Sequence, residues 1–588
     1  MAQSLREPYA GSSRKLIISI DIGTTFTAAS FCILQPGKVA KFEEVLRWPK
    51  QATPDAKVPS VLYYDKAGNP RAFGAETEDE DMKMEAESHE WFKAAWWKLH
   101  MRPAHLPIIK SLSLPDLPPK LTVDNVFADH LRYIKDQIKD YLVATYGEGL
   151  NIWTSLYPTM YVILTTPNGW EGKQQNRMRE AAIAAGLVDA TGGRRIRFVT
   201  EAEAAVLYAI DTGSVSDWLV KDGHLILCDC GGGTVDITGY RIESLEPLRL
   251  AESSASRCYL AGAVFVNQAM KAYLKERLAG TEWDNNEALT EAVQNFEKNA
   301  KKKFDDIGSV SWIPLGGFKS VPALGITRGR LRISGEDMAS FFEPSIKSIK
   351  EGLDIAFENG GKLADKVILV GGLASSPWVY SQLLKWGEES GISVSRPDGP
   401  TVKAVANGAL AWHIDNTVST RYTKCHYGIR IREPYRKDDP EHRGRVPFTG
   451  ADGVEYVSPC WNGIVPKNEK IDAGKEFTQS FNFEATEGDD LNHPVDIYVY
   501  RRATPPAFIT FPGKKVFQPG FEVICTVRGN LEKCYRASEQ RKSPLTGEKY
   551  RKVNFDVCIS LGETEISARL RWIENGKAVY GPATVAYD

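Results

Sequence analysis

No stretch of this 588-residue sequence approaches the roughly eighteen apolar residues of a membrane-crossing helix, and runs such as Lys15 to Ile22 are strand-sized. Neither sign of charge dominates. Seventy-three basic and 75 acidic residues leave a net charge of -2, so no global attraction draws the chain to nucleic acid or to an anionic membrane. Cysteine is scarce, nine residues with no C-x-x-C pair and an odd total, which argues against a metal or disulfide role. A reducing compartment, cytosol or nucleus, is expected. Cys228 and Cys230 flank Asp229 on an apparent strand and read as core residues on one face; Cys425 beside His426 has no companion ligands. The amino terminus lacks the apolar core of a secretory signal. Glycine and proline, 49 and 32 residues, are near average, so a fibrous or disordered chain is excluded. What remains is a globular protein of several structural units.

Two short segments resemble one another. Leu16 to Phe26 reads L-I-I-S-I-D-I-G-T-T-F, and Leu225 to Asp236 reads L-I-L-C-D-C-G-G-G-T-V-D. Each is an apolar strand ending in Asp, then a Gly- and Thr-rich turn, then a second strand. Their separation is too long for a solenoid repeat and suits two similar lobes. Between them, Tyr161 to Thr166 predicts a buried strand that runs into P-N-G-W-E, with Asn168 as a helix cap for a helix ending before Gly186. Ile196 to Thr200 predicts a strand leading into a helix that starts at Glu201. The proline-rich stretch Pro103 to Pro119 reads as an irregular excursion, and acid-rich Glu76 to Glu90 as a solvated helix face. Phe92, Trp96 and Leu99 follow a helical core spacing. Beyond about residue 415 the period changes to two, as in Val553, Phe555, Val557, Ile559 and Leu561, and Asn575-Gly576 marks a hairpin turn. An antiparallel β domain is expected there, joined by an irregular stretch from Arg432 to Pro459.

Glycines in D-x-G-T-T and D-x-G-G-G-T let backbone N–H groups converge on an anion, and the Thr hydroxyls add donors. An Asp at the end of each strand suits Mg2+, which keeps most of its waters and leans on few carboxylates plus phosphate oxygens. Either motif alone is more often a plain turn. A third element adds weight: Lys366 to Val370 predicts a strand followed by G-G-L-A-S-S-P, with Ser376 as N-cap and Pro377 at the first helical position. The order phosphate turn, acidic helix start, second phosphate turn and Gly-Gly-helix defines a nucleotide site.

These pieces, I-D-I-G-T-T-F, T-P-N-G-W, V-T-E-A-E-A-A, D-C-G-G-G-T-V-D and V-G-G-L-A-S-S-P with A-V-A-N-G-A-L, span about residues 14 to 412. In this order they resemble the actin-like ATPase superfamily, and within it the seventy-kilodalton heat-shock chaperones and their divergent branch of family member twelve and fungal relatives. The resemblance implies an α/β fold: an actin-like nucleotide-binding domain over residues 14–417, two-lobed and duplicated ribonuclease-H-like, then a mainly antiparallel β-rich domain over 420–588. It implies ATP or ADP with Mg2+. Gly23, Thr24, Thr25, Phe26 and Gly231, Gly232, Gly233, Thr234 would surround the phosphates, and Asp21 and Asp229 the hydrated metal. Glu201 and Asp236 would order water, with Asp229 beside them in the catalytic set. Gly371, Gly372, Lys301 and Lys302 would border the adenosine. Slow ATP hydrolysis by a cytoplasmic chaperone-like protein follows, with client proteins and co-chaperones as partners and neither nucleic acid nor membrane. A nucleotide-gated scaffold and a sugar kinase of the same superfamily are the alternatives.

Departures temper the hydrolytic expectation. Ser375 stands where the family carries an adenine-stacking Arg, and Ala202 replaces the Pro after the glutamate. The phosphate-contacting lysine of the first lobe would be Lys98 or Lys93. The β-rich part follows the strand order of the chaperones' substrate-binding β domain through G-I-V-P-K-N-E-K-I and P-V-D-I-Y-V-Y. The coupling linker is not recognisable around His413 to Thr423, and neither a helical lid nor an acidic tail is expected.

Overall fold

Both motif segments form β-hairpins at the centre of their sheets. The computed structural model describes residues 6–103, 106, 114–170, 172–212, 218–245, 248–361, 363–396, 404–415, 418–472, 475–561, 566–574, 576–581 and 584–585. The chain divides into two compact units, Met1–Trp170 with Arg177–Val418, and Glu171–Asn176 with Ser419–Asp588.

In the first unit, strand Lys15–Ile22 pairs antiparallel with Phe26–Leu34 and parallel with Tyr161–Thr166, which pairs parallel with Ile196–Thr200. Strand His224–Cys230 repeats the plan. It pairs antiparallel with Val235–Leu245 and parallel with Lys366–Val370, which pairs parallel with Ser393–Ser395. Leu16, Ile18, Ile20 and Ile22 are buried, as are Ile17 and Ser19, so the strand reads as the continuous apolar run of a sheet covered on both faces. Helix Val123–Thr145 covers one sheet through Phe127, Leu131, Ile134 and Ile138; helix Gly335–Asn359 covers the other through Phe342, Ile346, Ile349 and Leu353. A separate core draws Ile17, Ile163 and Val199 of one sheet together with Leu225, Leu227 and Ile368 of the other. Two helices sit in it, Glu201–Asp211 and Ala404–Asp415, so close that a Cβ at Gly408 would lie 1.7 Å from the Ala204 carbonyl.

The second unit consists chiefly of antiparallel strands. One sheet orders Phe448–Thr449, Glu455–Val465, His426–Pro434, Asn492–Tyr500 and Phe521–Asn530; the other orders Glu476–Thr486, Lys549–Leu561, Ile566–Glu574 and Lys577–Tyr580. Val553, Val557, Ile559 and Leu570 of the second sheet join Ile497, Val499 and Val527 of the first in its core. Glu574 pairs with Lys577 around the expected turn; Gly576 has φ +74°, and Asn575 lies outside the described residues.

One sequence expectation changes. Phe92–Ala94 is a strand that pairs with Leu62–Tyr64, and Phe92 is exposed, so the helical spacing of Phe92, Trp96 and Leu99 is not one face of a helix. The Arg432 to Pro459 stretch is irregular over most of its length, as expected, with the ends of His426–Pro434 and Glu455–Val465 entering it and the short strand Phe448–Thr449 between them. Pro103 to Pro119 falls partly outside the described residues, as do residues 416 and 417 of the expected linker.

Candidate functional site

The two hairpins end in turns of the same build. Gly23 N–H donates to the Phe26 carbonyl at 2.9 Å, and Gly231 N–H donates to the Thr234 carbonyl at 2.9 Å. Asp21 and Asp229 occupy equivalent positions, each two residues before its turn. The turns face each other. A Cβ at Gly232 would come 2.6 Å from Thr25 Oγ1, and one at Gly233 would come 2.4 Å from Thr24 Oγ1, so only glycine permits the approach. Thr24 and Thr234 are buried, whereas the Phe26 side chain is 45% exposed and turns away.

Each turn is braced from behind, with its carbonyls engaged. In the first, Ser60 N–H donates to the Thr25 carbonyl at 2.9 Å and Ser60 Oγ to the Gly23 carbonyl at 2.9 Å. In the second, the start of helix Ala263–Arg277 takes that part: Ala263 N–H donates to the Gly231 carbonyl at 3.0 Å and Val264 N–H to the Gly232 carbonyl at 2.9 Å. A trans peptide points its C=O and the following N–H in opposite directions, so turn amides are left facing away from the braces.

Four carboxylates converge beside the turns. Thr165 Oγ1 donates to Asp21 Oδ1 at 2.7 Å, and Asn168 N–H donates to Asp236 Oδ1 at 2.7 Å. Glu201 begins its helix because Thr200 caps it, accepting the Glu203 N–H. Lys98 Nζ, 3% exposed, donates to Glu201 Oε1 at 2.7 Å. Burial pushes the Glu201 carboxyl up to about 7; Lys98 opposes the shift, and Asp21 and Asp236 add to it. Burial raises Asp229 well above the ordinary carboxylate range, reinforced by Glu201, Asp236 and Asp21. Burial raises Asp236 too, opposed by hydrogen bonds from the Asn168 N–H, the Thr234 hydroxyl and the Cys258 thiol. Such a cluster of like charges calls for a cation.

Thr166 Oγ1 and Trp170 Nε1 are buried without a partner, on the segment that also supplies Thr165. Gly371, with φ +89°, passes so close to Asp229 that a Cβ would lie 2.4 Å from Oδ1, while a Cβ at Gly372 would meet open space. Lys301 is buried and bonds protein groups, the Ala263 carbonyl at 2.9 Å and Asn267 Oδ1 at 2.8 Å; burial lowers its amine to about 8. It supports the helix that braces the second turn. Lys302 is exposed.

Between the two lysine candidates, the structure brings Lys98 to the acid cluster and leaves Lys93 exposed on its strand. Sequence reasoning missed Thr165, Cys258 and the bonds of Asn168 to Asp236 and Thr238. The signal was available for Asn168, since polar residues ending a buried strand lie where open α/β sheets bind ligands.

No family profile matches the chain. Among curated proteins it is 21% identical over 596 residues to heat shock 70 kDa protein 12A of Mus musculus, covering 85% of this chain and 83% of the relative. The similarity is to Hsp70 proteins. Heat shock 70 kDa protein 12B of Homo sapiens is 20% identical, with 80% and 78% covered. The chaperone protein HscA of Proteus mirabilis is 25% identical over 251 residues, 42% of this chain and 36% of HscA. Low identity over such broad coverage supports an Hsp70-like protein of the actin-like ATPase superfamily, and the mixed α/β structure is compatible with that fold.

Proposed function

We propose that the first unit binds ATP and ADP with Mg2+ between the two hairpins and hydrolyses ATP slowly, as an Hsp70-type protein acting on or with other proteins. The observation that carries this reading is the approach of the two glycine-rich turns, Thr24 and Thr25 against Gly232 and Gly233, above a cluster of buried carboxylates. Turn amides freed by the braces, with the Thr hydroxyls, are the donors for phosphate oxygens. Among the described residues, no three acidic, His or Cys side chains meet closely enough to grip a metal ion directly. Asp21 and Asp229 suit a hydrated Mg2+ held through its waters and the nucleotide. That ion would neutralise charge developing on the transferred phosphoryl group. Asp236, fixed by Asn168, and Glu201, fixed by Lys98, orient the attacking water.

In this reading the first unit is the two-lobed actin-like domain and residues 420–588 are a relative of the substrate-binding β domain, contacting client proteins or co-chaperones in the cytoplasm. Among the described residues no helix is long and apolar enough to cross a membrane. One observation favours a second reading, a nucleotide-gated scaffold with little turnover. A Glu201 held near pH 7 and tied to Lys98 is a weak water-orienting group.

Single-turnover hydrolysis of ATP by the parent, Glu201→Gln and Asp236→Asn separates the two. Hydrolysis requires both variants to bind ATP as the parent does and to turn it over at least about tenfold more slowly. Equal rates in all three would favour the scaffold. No ATP binding by the folded parent would end both readings.

A further inference from the structure

The brace of the first turn continues into the core and ends on a histidine. Ser60 Oγ lies 2.8 Å from Thr27 Oγ1, which lies 2.8 Å from His130 Nε2. His130 and Thr27 are fully buried and Ser60 is 1% exposed; the His130 ring packs edge-on to Trp97, 5.4 Å between centroids. Counting protons fixes the direction of the chain. The Gly23 carbonyl can only accept, so the single Ser60 hydroxyl proton goes to it. Ser60 Oγ must then accept from Thr27, and Thr27 Oγ1 must accept from His130, which carries its proton on Nε2. His130 Nδ1 is thereby a bare acceptor, and it is indeed buried with no partner. The opposite tautomer would leave an unsatisfied buried N–H and two hydroxyl oxygens facing each other without a proton. Burial keeps the ring neutral, its pKa lowered to about 3.

We propose that His130 is a positioning residue for phosphate binding: the relay His130–Thr27–Ser60 holds the Gly23 carbonyl back and so aims the Thr24 amide at the anion. Each donor polarises the next, so the chain acts as a unit. The Thr25 carbonyl is held by the same Ser60, and the Ser60 carbonyl accepts the Trp97 indole N–H at 2.9 Å. One serine therefore sets the turn and the segment that delivers Lys98. This inference rests on the nucleotide reading of the site.

The test is calorimetric titration of Mg-ATP and, separately, adenosine into the full chain as parent, His130→Leu, His130→Gln, Thr27→Val and Ser60→Ala. A glutamine amide can supply the Nε2–H donor that leucine cannot. Expected is about tenfold weaker Mg-ATP binding for His130→Leu, Thr27→Val and Ser60→Ala. Adenosine affinity should change by less than about twofold, and His130→Gln should recover Mg-ATP affinity to within about threefold of the parent. Parent-like Mg-ATP binding by Thr27→Val and Ser60→Ala, or equal losses for ATP and adenosine, would overturn the proposal even if His130→Leu failed to fold. A parent that bound no Mg-ATP would overturn the nucleotide reading and this proposal together. A parent that bound Mg-ATP while the variants were indifferent would overturn the proposal alone.

Discussion

The turns at Asp21 and Asp229 share a backbone and a hydrogen bond but differ in what stands behind and beside them. The first is held by side chains, Ser60 backed by Thr27 and His130. The second is held by main chain, the start of the Ala263–Arg277 helix, with buried Lys301 behind it. Their charge also differs. Asp21 faces Ala28 across its hairpin, whereas Asp229 faces a second carboxylate, Asp236. Two hairpins alike in sequence therefore divide the work: the second carries more acid and a rigid support, the first a support that single hydroxyls can undo.

The sharpest way to break the asymmetry is to remove the cation beside the acids. Lys98→Met leaves Glu201 buried without its partner, and a loss of about 3 to 5 kcal/mol is expected, read from denaturant unfolding of the nucleotide-free protein. A main-chain brace should resist side-chain changes but not a new Cβ. At Gly262 that atom would lie 2.6 Å from the Gly232 carbonyl carbon and oxygen, so Gly262→Ala should cost about 1 to 3 kcal/mol and weaken Mg-ATP binding in the same preparation. Ser60→Ala, its counterpart at the first turn, removes the hydrogen bonds to the Gly23 carbonyl and from Thr27, at a cost of about 1 kcal/mol each.

A further effect is a slope with pH. Glu201 has a folded pKa of about 7 against an ordinary value of 4.5. Stability present below pH 4.5 is therefore lost as pH rises towards 7, by no more than about 1.4 kcal/mol per pH unit from this group. Raised Asp229 and Asp236 act in the same direction. Thermal unfolding without nucleotide should fall across that window, and Glu201→Gln should flatten the slope; a parent whose stability rose over the same window would contradict the burial of the acid cluster.

The halves of this comparison were not equally legible in the sequence. The Asp-x-Gly turns and the Glu201 helix start are local patterns, strand period followed by turn or cap chemistry, and each is found where its residues predict. The braces are not local. Ser60, Thr27 and His130 are ordinary residues on separate elements, related only by the sheet register and one helix face. Lys98 sits in a 3-10 turn, Trp97–Met101, entered through Trp96 with φ +53°, a left-handed conformation unusual for a bulky residue. No periodicity announces such a turn, and the pairing of Phe92–Ala94 with Leu62–Tyr64 overrode the helical spacing beside it. Lys301 illustrates the reverse: within a basic run whose Lys302 is exposed, it is turned inward to bond a neighbouring helix.

Amide hydrogen exchange with and without Mg-ATP tests most directly whether both turns hold one nucleotide. Protection of the amides at residues 23–26 and 231–234 together is expected, with the first set losing protection in Thr27→Val and the second set keeping it. Protection of only one turn in the parent, or of neither, would contradict a phosphate site shared between the two hairpins.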